Sequence, residues 1–147
     1  MIALPKRAWV VENILVVPFI VAVIGAFALW DHREPMEHIR GKIVPNPAMP
    51  GQQVTVRWSS NWYRTCEASV HREIVTSDLI VRRYLPYKLM PVRLGEQTSE
   101  TSFMLNEMQP PGLTSHRSTL RFDECGLLSR FWPIEIHSPP LYFEVAR

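Results

Sequence analysis

A chain of 147 residues, 46% hydrophobic and 20% charged, has the length of one domain and the average composition of a globular one. Its formal net charge of +2, with no long run of like charges, argues against an electrostatic nucleic-acid binder. Thirteen prolines against six glycines argue against a mainly helical fold, because proline removes a backbone donor and clashes inside helices.

The average hides two segments. Residues 1–9 form a short polar-ended start, and residues 10–30 read as a transmembrane helix. The core of that run, Ile14 to Trp30 (ILVVPFIVAVIGAFALW), carries no charge. At ~1.5 Å per residue, Trp9 to Trp30 covers roughly 30 Å, the thickness of a bilayer core. Trp9 and Trp30 are placed where interfacial aromatic residues sit, and Glu12 and Asn13 lie near one headgroup level. Pro18 is tolerable early in such a helix. Lys6 and Arg7 precede the run, while Asp31, His32, Arg33 and Glu34 follow it. The positive side stays inside, so the C-terminal part is expected to cross. Ala26-Phe27-Ala28 also fits a signal-peptide cleavage site, but the apolar run is longer than a usual signal core. Both readings place the remainder outside the cytoplasm. Ala22, Gly25 and Ala26 form a small-residue face through which two helices can approach, a route to a homo-oligomer.

Residues 31–36 read as a linker and residues 37–147 as one all-β ectodomain. Short period-two stretches recur there, each bounded by turn residues. The expected strands are Ile39–Val44, Gln53–Trp58, Cys66–Val75, Leu79–Leu85, Thr101–Leu105, Ser118–Phe122, Trp132–Ile136 and Leu141–Val145. Val54, Val56 and Trp58 share one face, as do Leu120 and Phe122, and Trp132, Ile134 and Ile136. Thr76-Ser77-Asp78 reads as a turn. Gln109-Pro110-Pro111-Gly112 and Pro139-Pro140 read as loops or edge positions. About eight strands at roughly ten-residue spacing predict an antiparallel sandwich, immunoglobulin-like or fibronectin III-like.

Cys66 and Cys125 are the two cysteines, and in an oxidising compartment they most simply form one disulfide. Free structural thiols or a metal or catalytic role are the alternatives, and none of the five histidines stands at a zinc-ligand spacing from either. Cys125 is out of phase with Leu120 and Phe122, so it must follow a bulge or lie past the strand end. Trp62, Tyr63 and Arg64 are residue types that anchor interfaces, and either contact a partner or cap the sandwich. Arg82, Arg83, Tyr84 and Tyr87 mix basic and aromatic character, as a contact surface for an anionic partner or lipid headgroups, or as a protected edge strand. The acids are scattered, and no phosphate loop, nucleophile elbow or calcium loop is present. No cofactor, metal or enzymatic activity is therefore expected.

Three stretches carry a resemblance: Tyr63-Arg64-Thr65-Cys66 with Val70-x-Arg72, Arg117 to Phe122 leading to Cys125, and Phe131-Trp132-Pro133-Ile134. Together they resemble small membrane-anchored proteins of tailed phages and prophages with an immunoglobulin-like periplasmic domain. The resemblance covers roughly residues 50–145. It implies a bacterial or phage setting and a periplasmic domain, and carries over no functional residues. The expectation is a single-pass inner-membrane protein whose domain is a binding or structural module for a protein partner near the bilayer. An accessory subunit of a membrane complex, or a phage envelope or lysis-associated protein, is the alternative.

Overall fold

The computed structural model describes residues 6–90 and 93–147, with side chains described from Val16 onward. The chain divides into two compact units, a helical one ending at Arg33 and a β unit, Glu34–Arg147.

The helical unit is α1, Lys6–Asp31, which includes Pro18. From Val16 to Trp30 its side chains are almost all exposed, among them Phe19, Ile20, Val21, Val23, Ile24, Phe27 and Leu29. The Arg33 guanidinium lies over the Trp30 ring, 4.1 Å from its centroid. Among the described residues no helix is long and apolar enough to cross a membrane. The stretch with described side chains, Val16 to Asp31, covers about 24 Å at ~1.5 Å per residue. The side chains of the N-terminal part of the expected span, those of Trp9, Glu12 and Asn13 among them, are not among those described.

The β unit is an antiparallel sandwich of eight strands among the described residues: β1 Met36–Val44, β2 Gln53–Trp62, β3 Ala68–Val75, β4 Val81–Leu89, β5 Gly95–Met104, β6 Gly112–Phe122, β7 Ile134–His137 and β8 Leu141–Val145. One sheet has the order β1-β2-β5; the other runs β4-β3-β6, with β7 and β8 both paired to β6. β7 joins Thr119–Phe122 and β8 joins Gly112–His116, so the two form one strand position broken in the middle. The break falls at Pro139-Pro140, which have no N–H to give a ladder. Ser138 bridges it: its N–H donates to the Ser118 carbonyl (2.8 Å) and its hydroxyl accepts from the Ser118 N–H (2.9 Å).

Two apolar clusters fill the interior. One gathers Met36, Trp62, Val70, Leu120, Phe122, Ile134 and Ile136 with both cysteines; the other gathers Ile43, Val54, Val56, Trp58, Ile74, Phe103, Phe143 and Val145. The predicted inward face of β2 continues past Trp58 to Ser60 and Trp62. Gly41 is required beside it, since a Cβ there would stand 2.5 Å from the Trp58 ring.

The expected strands are present, with differences that have physical causes. β5 begins at Gly95 rather than Thr101, and β6 at Gly112 rather than Ser118. The missed halves turn Gln97 and Ser99, and Thr114 and His116, inward, where an apolar alternation would have announced a strand. β4 runs through Pro86 to Leu89. It is an edge strand, and residues 85 and 86 bulge out between the pairs Arg72↔Tyr84 and Val70↔Tyr87. Trp132 is not the first inward residue of β7: it sits in the preceding turn and is 72% exposed.

Candidate functional site

At one end of the sandwich the chain enters β1, β2 finishes, β3 starts, and β6 turns into β7. Cys66 and Cys125 join here in a disulfide, with Cα atoms 5.1 Å apart. Cys125 lies beyond the last residue of β6, which resolves its phase conflict. The bridge ties two strand-end segments together and is itself buried in the first apolar cluster.

The segment 123–133 after β6 is held by its own polar interior. Ser129 is fully buried, and its hydroxyl donates to the Gly126 carbonyl (2.9 Å). The N–H groups of Phe131 and Trp132 both donate to the Leu128 carbonyl (3.0 and 2.8 Å). Thus fixed, the segment presents Leu127, Phe131 (87% exposed) and Trp132 to solvent, with Arg130 between them. Exposed aromatic and aliphatic side chains grouped on a fixed turn make this segment a candidate contact surface. Reading Trp132 as a strand residue hid this patch; the signal available was the density Leu127-Leu128-Ser129-Arg130-Phe131-Trp132 beside a proline.

The structure separates the other candidates. Trp62 is 4% exposed and packs edge-on against Phe122, with ring centroids 6.1 Å apart, so it belongs to the core and offers no contact surface. Tyr63 is half exposed at the same end, and Glu37 beside its hydroxyl raises its pKa above the ordinary value. Arg64 follows it; both backbone N–H groups donate to the Pro35 carbonyl. Arg82, Arg83 and Tyr84 do not join them. The β3–β4 register sets Arg82 opposite Ile74 and Arg83 opposite Glu73, toward the other end of β4. Only Arg83 of the four on β4 points outward; Arg82, Tyr84 and Tyr87 turn toward the interior.

That interior holds a feature the sequence did not announce. Between the two apolar clusters the inward residues become polar: His38 on β1, Trp58 and Ser60 on β2, Ser99 and Thr101 on β5, Arg72 on β3, and His116 and Ser118 on β6. Arg72 lies 4.8 Å from the Tyr87 ring centroid and 5.7 Å from that of Tyr84, and its Nη1 donates to Thr101 Oγ1 (3.1 Å). His116 stacks on Phe103, ring centroids 5.6 Å apart and planes 11° off parallel. Burial, reinforced by the Arg72 charge, pushes the His116 imidazole down to about 4, so it is neutral at physiological pH. Burial lowers His38 as well. Among the described residues no group of His, Cys, Asp or Glu is arranged to hold a metal ion.

These features define a small antiparallel sandwich with an exposed apolar turn at its disulfide end and a polar layer inside. No protein-family model matches the chain, and no curated protein matches its sequence. Among solved structures the chain is similar to the Pseudomonas fluorescens alkylpurine DNA glycosylase AlkC bound to DNA containing an abasic site analog. The two share 12% identity at a TM-score of 0.50, over 77% of this chain and 31% of the glycosylase. The Bacillus subtilis sporulation control protein Spo0M matches at 12% identity and a TM-score of 0.40, over 78% of this chain and 51% of that one. A Listeria innocua β-glucosidase matches at 15% and 0.41, over 77% and 16%. This chain thus spans well under two thirds of each, and the likeness to the glycosylase is one of fold.

Proposed function

We propose that this protein is a single-pass membrane-anchored module that displays an immunoglobulin-like, fibronectin III-like sandwich as a binding or structural unit on the far side of the membrane. The observation that carries the reading is α1, whose apolar side chains are exposed on every side from Val16 to Trp30. A helix apolar all round needs either a protein interior or a lipid one. Trp30 with Arg33 over its ring is the pairing expected where such a helix leaves the bilayer. The Cys66–Cys125 disulfide supports an oxidising compartment, the periplasm if the setting is bacterial. The sheet orders β1-β2-β5 and β4-β3-β6 with β7 and β8 support the finer fold assignment.

Tethering raises the effective concentration of the domain toward a protein at the same membrane. The turn bearing Leu127, Phe131 and Trp132, with Tyr63 and Arg64 at the same end of the sandwich, is the surface offered to it. The reading involves no cofactor and no nucleic acid. Protease added to spheroplasts expressing the full chain tests it. The sandwich should be digested or released from outside while a helical fragment stays with alkali-washed membranes. Protection until the membrane is lysed would place the domain in the cytoplasm and overturn the proposal.

A further inference from the structure

The polar layer inside the sandwich contains buried donors that find no acceptor. Five buried nitrogens of its lining have no hydrogen-bond partner: Arg72 Nε, Trp58 Nε1, His38 Nε2, and both His116 Nδ1 and Nε2. Arginine and indole N–H groups donate only, and a neutral imidazole has one N–H and one acceptor nitrogen, so Arg72 Nε, Trp58 Nε1 and one nitrogen of His116 are donors without an acceptor. Buried polar atoms are normally paired, and leaving several orphaned in one layer is costly. His116 is 1% exposed, so bulk water does not reach it.

The charge is unbalanced in the same sense. Arg72 has Thr101 and the faces of Tyr84 and Tyr87 as partners, and among the described residues no carboxylate pairs with it. Arg72 is half-buried with its Nε fully covered, and a guanidinium so placed is ordinarily matched by an acid. The side chains around the free space number no acid among them. That space is about 20 Å³, enough for one or two water-sized bodies and too small for an organic ligand. A water there would accept from two of these donors but bring no charge to balance the guanidinium.

From these observations we infer that the sandwich interior holds a site for one small monatomic anion of the halide class, coordinated by Arg72, Trp58 and the imidazoles, with the Ser60, Ser99 and Thr101 hydroxyls as adjustable donors. The inference is independent of whether α1 spans a membrane. An anion accepts from every donor at once and neutralises the guanidinium, which joins the two apolar clusters through one satisfied layer. Tyr84 and Tyr87, which the sequence offers as surface contacts, then act as the wall that keeps Arg72 oriented.

Thermal unfolding of the full-length protein in detergent, in sodium bromide against sodium gluconate at equal ionic strength, tests this. Gluconate is too large for the cavity. A ligand bound only by the folded state should raise the midpoint by about 5 °C for each tenfold increase in bromide above its dissociation constant. Arg72→Met should abolish that dependence. Should Arg72→Met not fold, bromide anomalous scattering from crystals of the unmodified chain decides, with a peak expected among Arg72, Trp58 and His116. A midpoint that follows ionic strength alone, or crystals with no bromide peak in the cavity, would show that water fills the layer and overturn the inference.

Discussion

Two tryptophans of similar sequence surroundings have opposite fates, and the difference is measurable. Trp62 ends β2 on its inward phase and packs on Phe122; Trp132 precedes a proline in a turn and stands in solvent. Trp62→Ala should cost about 3–5 kcal/mol of unfolding free energy in denaturant titrations, and Trp132→Ala about 0.5 kcal/mol or less. Equal costs would contradict the placement of either ring. The buried imidazole of His116 makes a second prediction. Unfolded, it titrates at the ordinary imidazole value of 6.5; folded, at about 4. Above the higher value both states are neutral and it contributes nothing to pH dependence. As pH falls through that window the unfolded chain takes up a proton that the folded chain refuses, so stability is lost, by at most roughly 3 kcal/mol. Burial acts on His38 in the same direction, and the Arg72 charge adds to the effect at His116. Measured in gluconate buffer, the acid loss of stability should be smaller in His116→Leu than in the unmodified protein. An unchanged profile would mean that His116 is hydrated in the fold.

At the scale of elements, the disulfide and the missed strand halves carry the lesson. Cys66 and Cys125 close a loop with a sequence separation of 59, which in the chain-entropy account stabilises the domain by ~4 kcal/mol. Replacing both cysteines by alanine should lower the unfolding free energy by about that amount, read by denaturant titration without reductant; no change would mean the bond is absent in the isolated protein. The pairing was legible because a chain with two cysteines has few alternatives. Where β2, β3, β7 and β8 lie was legible too, since Val54, Val56, Val70, Ile74, Ile134, Ile136, Phe143 and Val145 alternate with polar neighbours. The N-terminal halves of β5 and β6 were not, because Gln97, Ser99, Thr114 and His116 face inward and give no apolar period to read. The same residues explain why the candidate sites were only partly legible. Polar layers and exposed apolar turns are both departures from the pattern that reveals strands, so the two features of most interest sat where the pattern failed. Arg82, Tyr84 and Tyr87 looked like surface because they are polar or amphipathic, yet on β4 they are half-buried, with Tyr84 and Tyr87 beside Arg72 and the Tyr84 hydroxyl donating to the Met104 carbonyl.

At the scale of the molecule, the proposal couples two facts that have no mutual need in a free-standing domain. A disulfide-closed sandwich folds around its own core, and a helix apolar on every side finds no partner in its own unit. In the proposed setting a bilayer covers the helix without disturbing the sandwich core. The most direct test is the intact mass of the protein taken from alkali-washed membranes without reductant. The account predicts the mass of residues 1–147 less two hydrogens, which requires both a retained α1 and a formed Cys66–Cys125 bond. A protein lacking residues 1–28, or a full-length one with both thiols free, would contradict it: the first by removing the anchor, the second by denying the domain an oxidising compartment.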